Sequence, residues 1–187
     1  MELETLRDLY VHELKDLYSA EQQLIKALPK MRKAARNRQL SVAFNQHLNQ
    51  TKQQAKRLEQ ILKRHDESTR APKCEGMEGL IKEGDKMAGE DAQDSVRDAG
   101  LIASAQRVEH YEIAGYGCAR TYAQLLGDKQ GARSLDTSLN EEAATDKKLT
   151  KIARSIVNPK AKKAPKRNQD GSGVTGAIKR AIAKVKG

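Results

Sequence analysis

The sequence predicts an all-α protein, and three observations carry that prediction. Ala, Leu, Gln, Glu, Lys and Arg dominate the chain, and these are the strong helix formers. Only four prolines interrupt its 187 residues. Apolar residues recur at helical spacing in four long runs. Aromatic residues make up 3% and Trp is absent, too few to fill the strands of a sandwich or barrel. The length corresponds to one domain, with or without an appendage.

The first run, about residues 3 to 36, carries Leu3, Leu6, Tyr10, Leu14, Leu17, Leu24 and Leu28 on one stripe. Pro29 falls inside it and is expected to kink or interrupt it, because proline has no N–H for the helical ladder. The second run, about 39 to 65, presents Leu40, Ala43, Phe44, Leu48, Leu58, Ile61 and Leu62. A loop with Pro72 and Gly76 follows, then a short amphipathic segment, 77 to 88, with Leu80, Ile81 and Met87. The third run, about 93 to 126, has Leu101, Ile102, Ala105, Val108, Tyr122 and Leu126, and stops at Gly127. The fourth, about 128 to 156, has Leu135, Leu139, Leu149, Ile152 and Ile156, and is expected to end at Asn158-Pro159.

Helices of this length extend roughly 40 to 50 Å, and four of them with one apolar stripe each make a four-helix bundle. The 65–93 connection is long and holds its own short helix, while the others are short. Two hairpins joined by a crossover form the ferritin-like arrangement; an up-down bundle is the alternative.

The net charge is +10, yet residues 158 to 187 hold nine Lys and Arg against one Asp, so eight of those charges belong to this tail. The expected organisation is a bundle over 1–157 and a flexible basic tail over 158–187. A short amphipathic helix is expected at 174–186, from Val174, Ile178, Ile182 and Val185. The tail suits nonspecific contact with DNA phosphates, an anionic membrane surface or a partner protein. Its bland reading is a solubilising disordered segment.

No stretch approaches the roughly 18 to 20 apolar residues of a membrane span. The Met1-Glu2-Leu3-Glu4 start has no basic-then-apolar signal. Cys74 and Cys118 show no zinc spacing and are expected as free thiols. A cytoplasmic location is the expectation.

The informative anomaly is acid on apolar stripes. Glu21 lies four after Leu17 and three before Leu24. Glu109 follows Ala105 by four, and Glu112 follows Val108 by four. Glu142 follows Leu139 by three, and Asp146 precedes Leu149 by three. On the second run, His47 follows Phe44 by three. Each long helix thus offers a ligand-type side chain to the interior. Taken singly, each such residue reads as a stripe-edge acid paired with an Arg or reaching water. Together they need compensating positive charge, since carboxylates are almost never buried unpaired. Two metal ions supply it, and hard oxygens with one imidazole suit Fe or Mn.

The segments HELKDLYSAEQQLIKALPKM (12–31), CEGMEGLIKEG (74–84), AQRVEHYEIAGYG (105–117) and NEEAATDKKL (140–149) resemble the bacterial YciE/YciF family of ferritin-like proteins. The similarity runs over about residues 2 to 156. It implies a ferritin-like bundle associated with stress responses, related to bundles that house di-iron or di-manganese sites. By position it implies Glu21, His47, Glu109, Glu112, Glu142 and Asp146 as metal ligands. The family's segment after His47 commonly reads HLEET, with acids where this chain has Asn49 and Gln50. Gln50 is retained as a weak ligand, and the departure points to a weakened position. Glu13 is a reserve ligand, and His110 is expected on another face, outside the ligand set.

Tyr18, Tyr111 and Tyr116 lie near the ligands in sequence, either as core or as relays of an oxidising equivalent. Gly115 and Gly117 within a helix suggest close helix approach, at a dimer interface or a kink, and a homodimer or larger assembly is expected. The leading function is handling of O2 or peroxide, or of iron, with ferroxidase, peroxidase and catalase-like chemistry left open. No Cys-x-x-Cys pair is present to hold a rubredoxin-type iron. The alternative is a non-enzymatic structural or interaction protein of the stress response with a weakened metal site.

Overall fold

The structure, a computed structural model, describes residues 3–165. Every regular element among those residues is a helix. Helix α1 spans Leu6–Ala34, α2 Arg38–Arg64, α3 Glu75–Gly89, α4 Asp94–Leu125 and α5 Lys129–Ile152. A five-residue π-helical turn, Ala153–Val157, leads into α6, Asn158–Lys162.

Local chemistry sets the ends. Thr5 caps α1 in a reciprocal box with Asp8, and Asn37 accepts from the N–H groups of Gln39 and Leu40 to start α2. Asp128 opens α5 by accepting from the Gly131 N–H at 2.8 Å. The α4–α5 turn needs Gly127, whose φ is +76°.

Two helix stops expected from proline do not occur. Helix α1 runs uninterrupted through Pro29. Pro29 faces solvent, so the Ile25 carbonyl that loses its donor there has water available. At Pro159 the chain also stays helical: the π turn widens the ladder, and the Asn158 N–H reaches the Ala153 carbonyl before proline opens α6. The expected amphipathic helix at 174–186 lies outside the described residues.

Helices α1 and α2 form one antiparallel hairpin, and α4 and α5 another. The segment carrying α3 connects them, packing on α1 and α4, while α2 packs on α5 on the opposite side. This is the two-hairpin, long-crossover bundle the spacing predicts. Asp98, buried on α4, accepts from the N–H groups of Arg36 at 2.9 Å and Asn37 at 2.7 Å, and so ties the α1–α2 turn to the second hairpin. Asp98→Ala leaves both donors unpaired and should cost roughly 2 to 4 kcal/mol. Urea denaturation measures this, and an unchanged midpoint would mean that the turn is held by other contacts.

The core has two apolar halves. One gathers Leu24, Leu28, Leu40, Phe44, Met77, Leu101 and Leu149. The other gathers Tyr10, Leu14, Leu17, Leu58, Leu62, Tyr116 and Leu135. On every long helix the change from one half to the other falls at a buried polar layer. Glu21 marks it on α1 and His47, Thr51 and Gln54 on α2. Glu109 and Glu112 mark it on α4, and Ser138, Glu142 and Thr145 on α5.

Candidate metal centre

The polar layer exists because the helical period carries each of these residues inward between leucines. Glu21, Glu112 and Glu142 are fully buried, and Glu109 and His47 nearly so. His47, Glu109, Glu112 and Glu142 each direct one ligand atom into a group whose atoms all lie within 4.8 Å of one another. His47 Nε2 stands 3.3 Å from Glu109 Oε1 and 3.9 Å from Glu142 Oε2. Glu21 joins the layer beside Glu112, and its Oε1 accepts a hydrogen bond from the buried Tyr116 hydroxyl. The Gln54 amide donates to Glu142 Oε1.

The remaining atoms have only one another to face. Glu21 Oε2, both His47 nitrogens, Glu109 Oε2, both Glu112 oxygens and Glu142 Oε2 are buried without a hydrogen-bond partner. Native interiors carry few such groups. Burial holds Glu21, Glu109 and Glu112 well above the ordinary carboxyl range, and neighbouring charge adds to this, from Glu142 on Glu21 and Glu109 and from Glu21 on Glu112. Burial likewise lowers the His47 pKa and raises that of Tyr116. Four acids and an imidazole with free lone pairs pointing together are the donor set of a hard cation.

Of the residues singled out from sequence, Glu21, His47, Glu109, Glu112 and Glu142 come together. Gln50 and Asp146 do not. Gln50 sits at the α2–α5 surface, where Thr145 Oγ1 approaches its Oε1 at 3.4 Å. Asp146 sits at the outer edge of α5, accepting from Gln106 at 2.8 Å and facing the exposed His110 at 3.5 Å. The inward positions are instead Gln54 and Thr145, each one step removed in the helical wheel. Asn49 and Gln50 both line a surface groove, so their missing charge takes nothing from the buried cluster. Glu13 is partly exposed beside His12 and is no ligand to the cluster.

Gln54 is the residue of the polar layer that sequence reading missed. It lies seven residues after His47 and four before Leu58, a spacing that marks the buried face. Tyr116 is drawn into the layer by its contact with Glu21, whereas the Tyr111 hydroxyl binds Asp16 at 2.9 Å and stands 3.0 Å from the Cys74 thiol. Gly115 does mark close approach, but within the chain: a Cβ there would stand 2.8 Å from Leu17 Cδ2. Gly117 faces open space.

A crossover-linked helical bundle holding a buried carboxylate–imidazole cluster at its waist is the class that fold and site define. A family profile described as "Domain of unknown function (DUF892)" matches residues 5–162, and the chain belongs to that family. It is 45% identical over 162 residues to Protein YciF of Escherichia coli (strain K12), covering 86% of this chain and 98% of that one. The crystal structure of the E. coli stress protein YciF superposes with a TM-score of 0.81 at 44% identity, over 83% of this chain and 99% of that chain. YcfI, a putative structural protein from Rhodopseudomonas palustris, gives 0.78 at 46% identity, over 81% and 97%. A Xanthomonas campestris protein at 19% identity, with a TM-score of 0.67 over 85% and 98%, shares the fold.

Proposed function

We propose that the cluster is a di-metal centre for Fe or Mn, and that the protein uses it to handle O2, peroxide or iron in a stress response. One observation carries this reading: five buried donors from four helices converge with most of their lone pairs unpartnered. The stress role follows its relative YciF, which is described as a stress protein. Free thiols at Cys74 and Cys118 accord with a cytoplasmic setting. No helix among the described residues is long and apolar enough to cross a membrane.

His47, Glu109, Glu112 and Glu142 would hold one ion, and Glu21 with Glu112 would complete the second. Glu112, which neighbours both Glu21 and Glu109, would contribute to holding both ions. Bound there, iron or manganese would supply the change of redox state that reducing O2 or peroxide requires. The chain supplies the rest. Tyr116 and Gln54 each tie one carboxylate oxygen, which fixes the direction of the other. The leucine-rich halves above and below exclude bulk water. Glu109 and Glu112 give up protons when positive charge arrives, so loading is coupled to pH.

Elemental analysis after reconstitution with Fe(II), and separately with Mn(II), tests this. About two metals per chain are expected, with loss in a Glu109→Ala/Glu142→Ala variant whose circular dichroism shows an intact fold. Wild-type protein with no stoichiometric metal would overturn the reading.

A further inference from the structure

The two faces of the bundle are closed differently at the level of the cluster. On one face α3 packs across α1 and α4, and Cys74, Tyr111 and Asp16 hydrogen-bond one another across that seam, leaving beside them a smaller groove of about 220 Å³ lined by Leu17, Tyr111 and Gly115. Among the described residues no such helix covers the α2–α5 face. There the seam is closed by a ladder of polar side chains that runs from solvent to the cluster. Lys148 donates to Gln46 at the exposed end. Thr145 bonds Gln50 one step further in, at 3.4 Å. Gln54 bonds the buried Glu142 at the inner end. Beside the outer rungs lies a groove of about 430 Å³, left open by the small side chains of Ala43 and Ala144 and lined by the amides of Gln46, Asn49 and Gln50. Its inner wall is Thr145, one helical turn from Glu142, and the His47 Nε2 stands 3.9 Å from Glu142 Oε2.

We propose that this seam is the route by which small solutes reach the buried cluster, with the Thr145–Gln50 bridge as its narrowest point. Rotation of two side chains opens it, whereas a path through either apolar half would displace packed leucines. Among the described residues Lys148 is the only charged one lining the groove, so the entrance opposes cations and admits neutral and anionic molecules. O2, peroxide and azide belong to the admitted class. This assignment of the substrate path rests on the di-metal reading above.

Two variants test the route. Ala144→Trp fills the groove from an exposed position, and Lys148→Glu reverses its charge; Lys26→Glu, exposed on the α1–α3 face, is the control. Mn(II) uptake, followed by loss of the free-ion EPR signal, should be several-fold slower in Ala144→Trp with the same final stoichiometry. It should be about tenfold faster in Lys148→Glu at low ionic strength, with the gain removed by 1 M salt and absent in Lys26→Glu. A second readout needs no metal: carbethoxylation of His47 by diethyl pyrocarbonate, read by peptide mass spectrometry, should be suppressed in Ala144→Trp. If wild type takes up no Mn(II) or Fe(II) while His47 is still protected in Ala144→Trp, the di-metal reading fails and the route stands. If Ala144→Trp leaves His47 modification at the wild-type rate, the route is overturned, whatever the metal content.

Discussion

Removing metal from the protein should lower its thermal midpoint much more at pH 8 than at pH 5. Glu21, Glu109 and Glu112 keep their protons in the metal-free fold far above the ordinary carboxyl value of 4.5, chiefly because they are buried. The unfolded chain releases those protons from about pH 4.5 upward. Between that value and the raised folded pKa the unfolded state binds fewer protons, so stability falls as pH rises. Each group contributes up to about 1.4 kcal/mol per pH unit. His47 acts in the opposite sense: burial lowers its pKa below 6.5, so its contribution is present above 6.5 and is lost as pH falls. Below 6.5, down to its own lowered folded pKa, one histidine offsets part of the loss from three carboxyls. Above 6.5 that offset is gone, and the decline steepens for as long as the folded carboxyls hold their protons.

On the proposed metal reading, a bound ion would remove this penalty by taking the ionised carboxylates as ligands. The loaded protein should therefore show a flat stability profile across the range in which the metal-free protein weakens. A difference of 3 kcal/mol would separate the midpoints by about 6 to 12 °C in a chain of this size. Calorimetric scans of chelated and reconstituted protein at pH 5, 6.5 and 8 measure it. Titration in buffers of different ionisation enthalpy should show about two or three protons released per chain on loading. Parallel profiles for the two forms would mean that the carboxyls are not titrating with the metal.

The bundle was legible because its signal is periodic and long. Stripes such as Leu14-Leu17-Leu24 persist over many turns, and the expected ends of α2, α3 and α4 fall within two residues of those observed. The two prolines misled because a proline's cost depends on surroundings the sequence does not state: a wet face at Pro29 and a π turn before Pro159 absorb it. The acidic cluster was legible for the same periodic reason as the core, since a carboxylate between two leucines has one direction to point. The errors lie at the stripe edge. Spacings of three and four leave neighbouring positions such as Thr145 and Asp146 both near the inward face, and only the α2–α5 packing decides that Thr145 turns in and Asp146 out. Attention to charge favoured Asp146 and passed over the neutral Gln54, although Gln54 has the better spacing. Gly115 was read as a mark of close approach, but that approach is to Leu17 of α1, which local sequence cannot specify.

Glu112→Leu should make the metal-free protein more stable while abolishing stoichiometric metal binding. Both Glu112 oxygens are buried with no hydrogen-bond partner outside the acid cluster itself, so in the metal-free fold the side chain carries a desolvation cost that its neighbours offset only in part. Leucine fills similar space without the desolvation cost of a buried protonated carboxyl, which is about 1 to 3 kcal/mol for a poorly satisfied polar group. The gain should be larger at pH 8 than at pH 5, because the substitution removes one of the three groups whose stability contribution falls with pH. Glu142 is the instructive contrast: Gln54 and His47 both approach it, so Glu142→Leu strands the Gln54 amide and should stabilise less or destabilise. Urea unfolding of metal-free wild type and both variants, paired with metal analysis, separates the outcomes. A Glu112→Leu protein that is less stable at both pH values would show the carboxyl to be part of the fold's own support. A more stable protein without metal would show that this position is kept acidic at the expense of stability, as expected of a residue retained for its ligand.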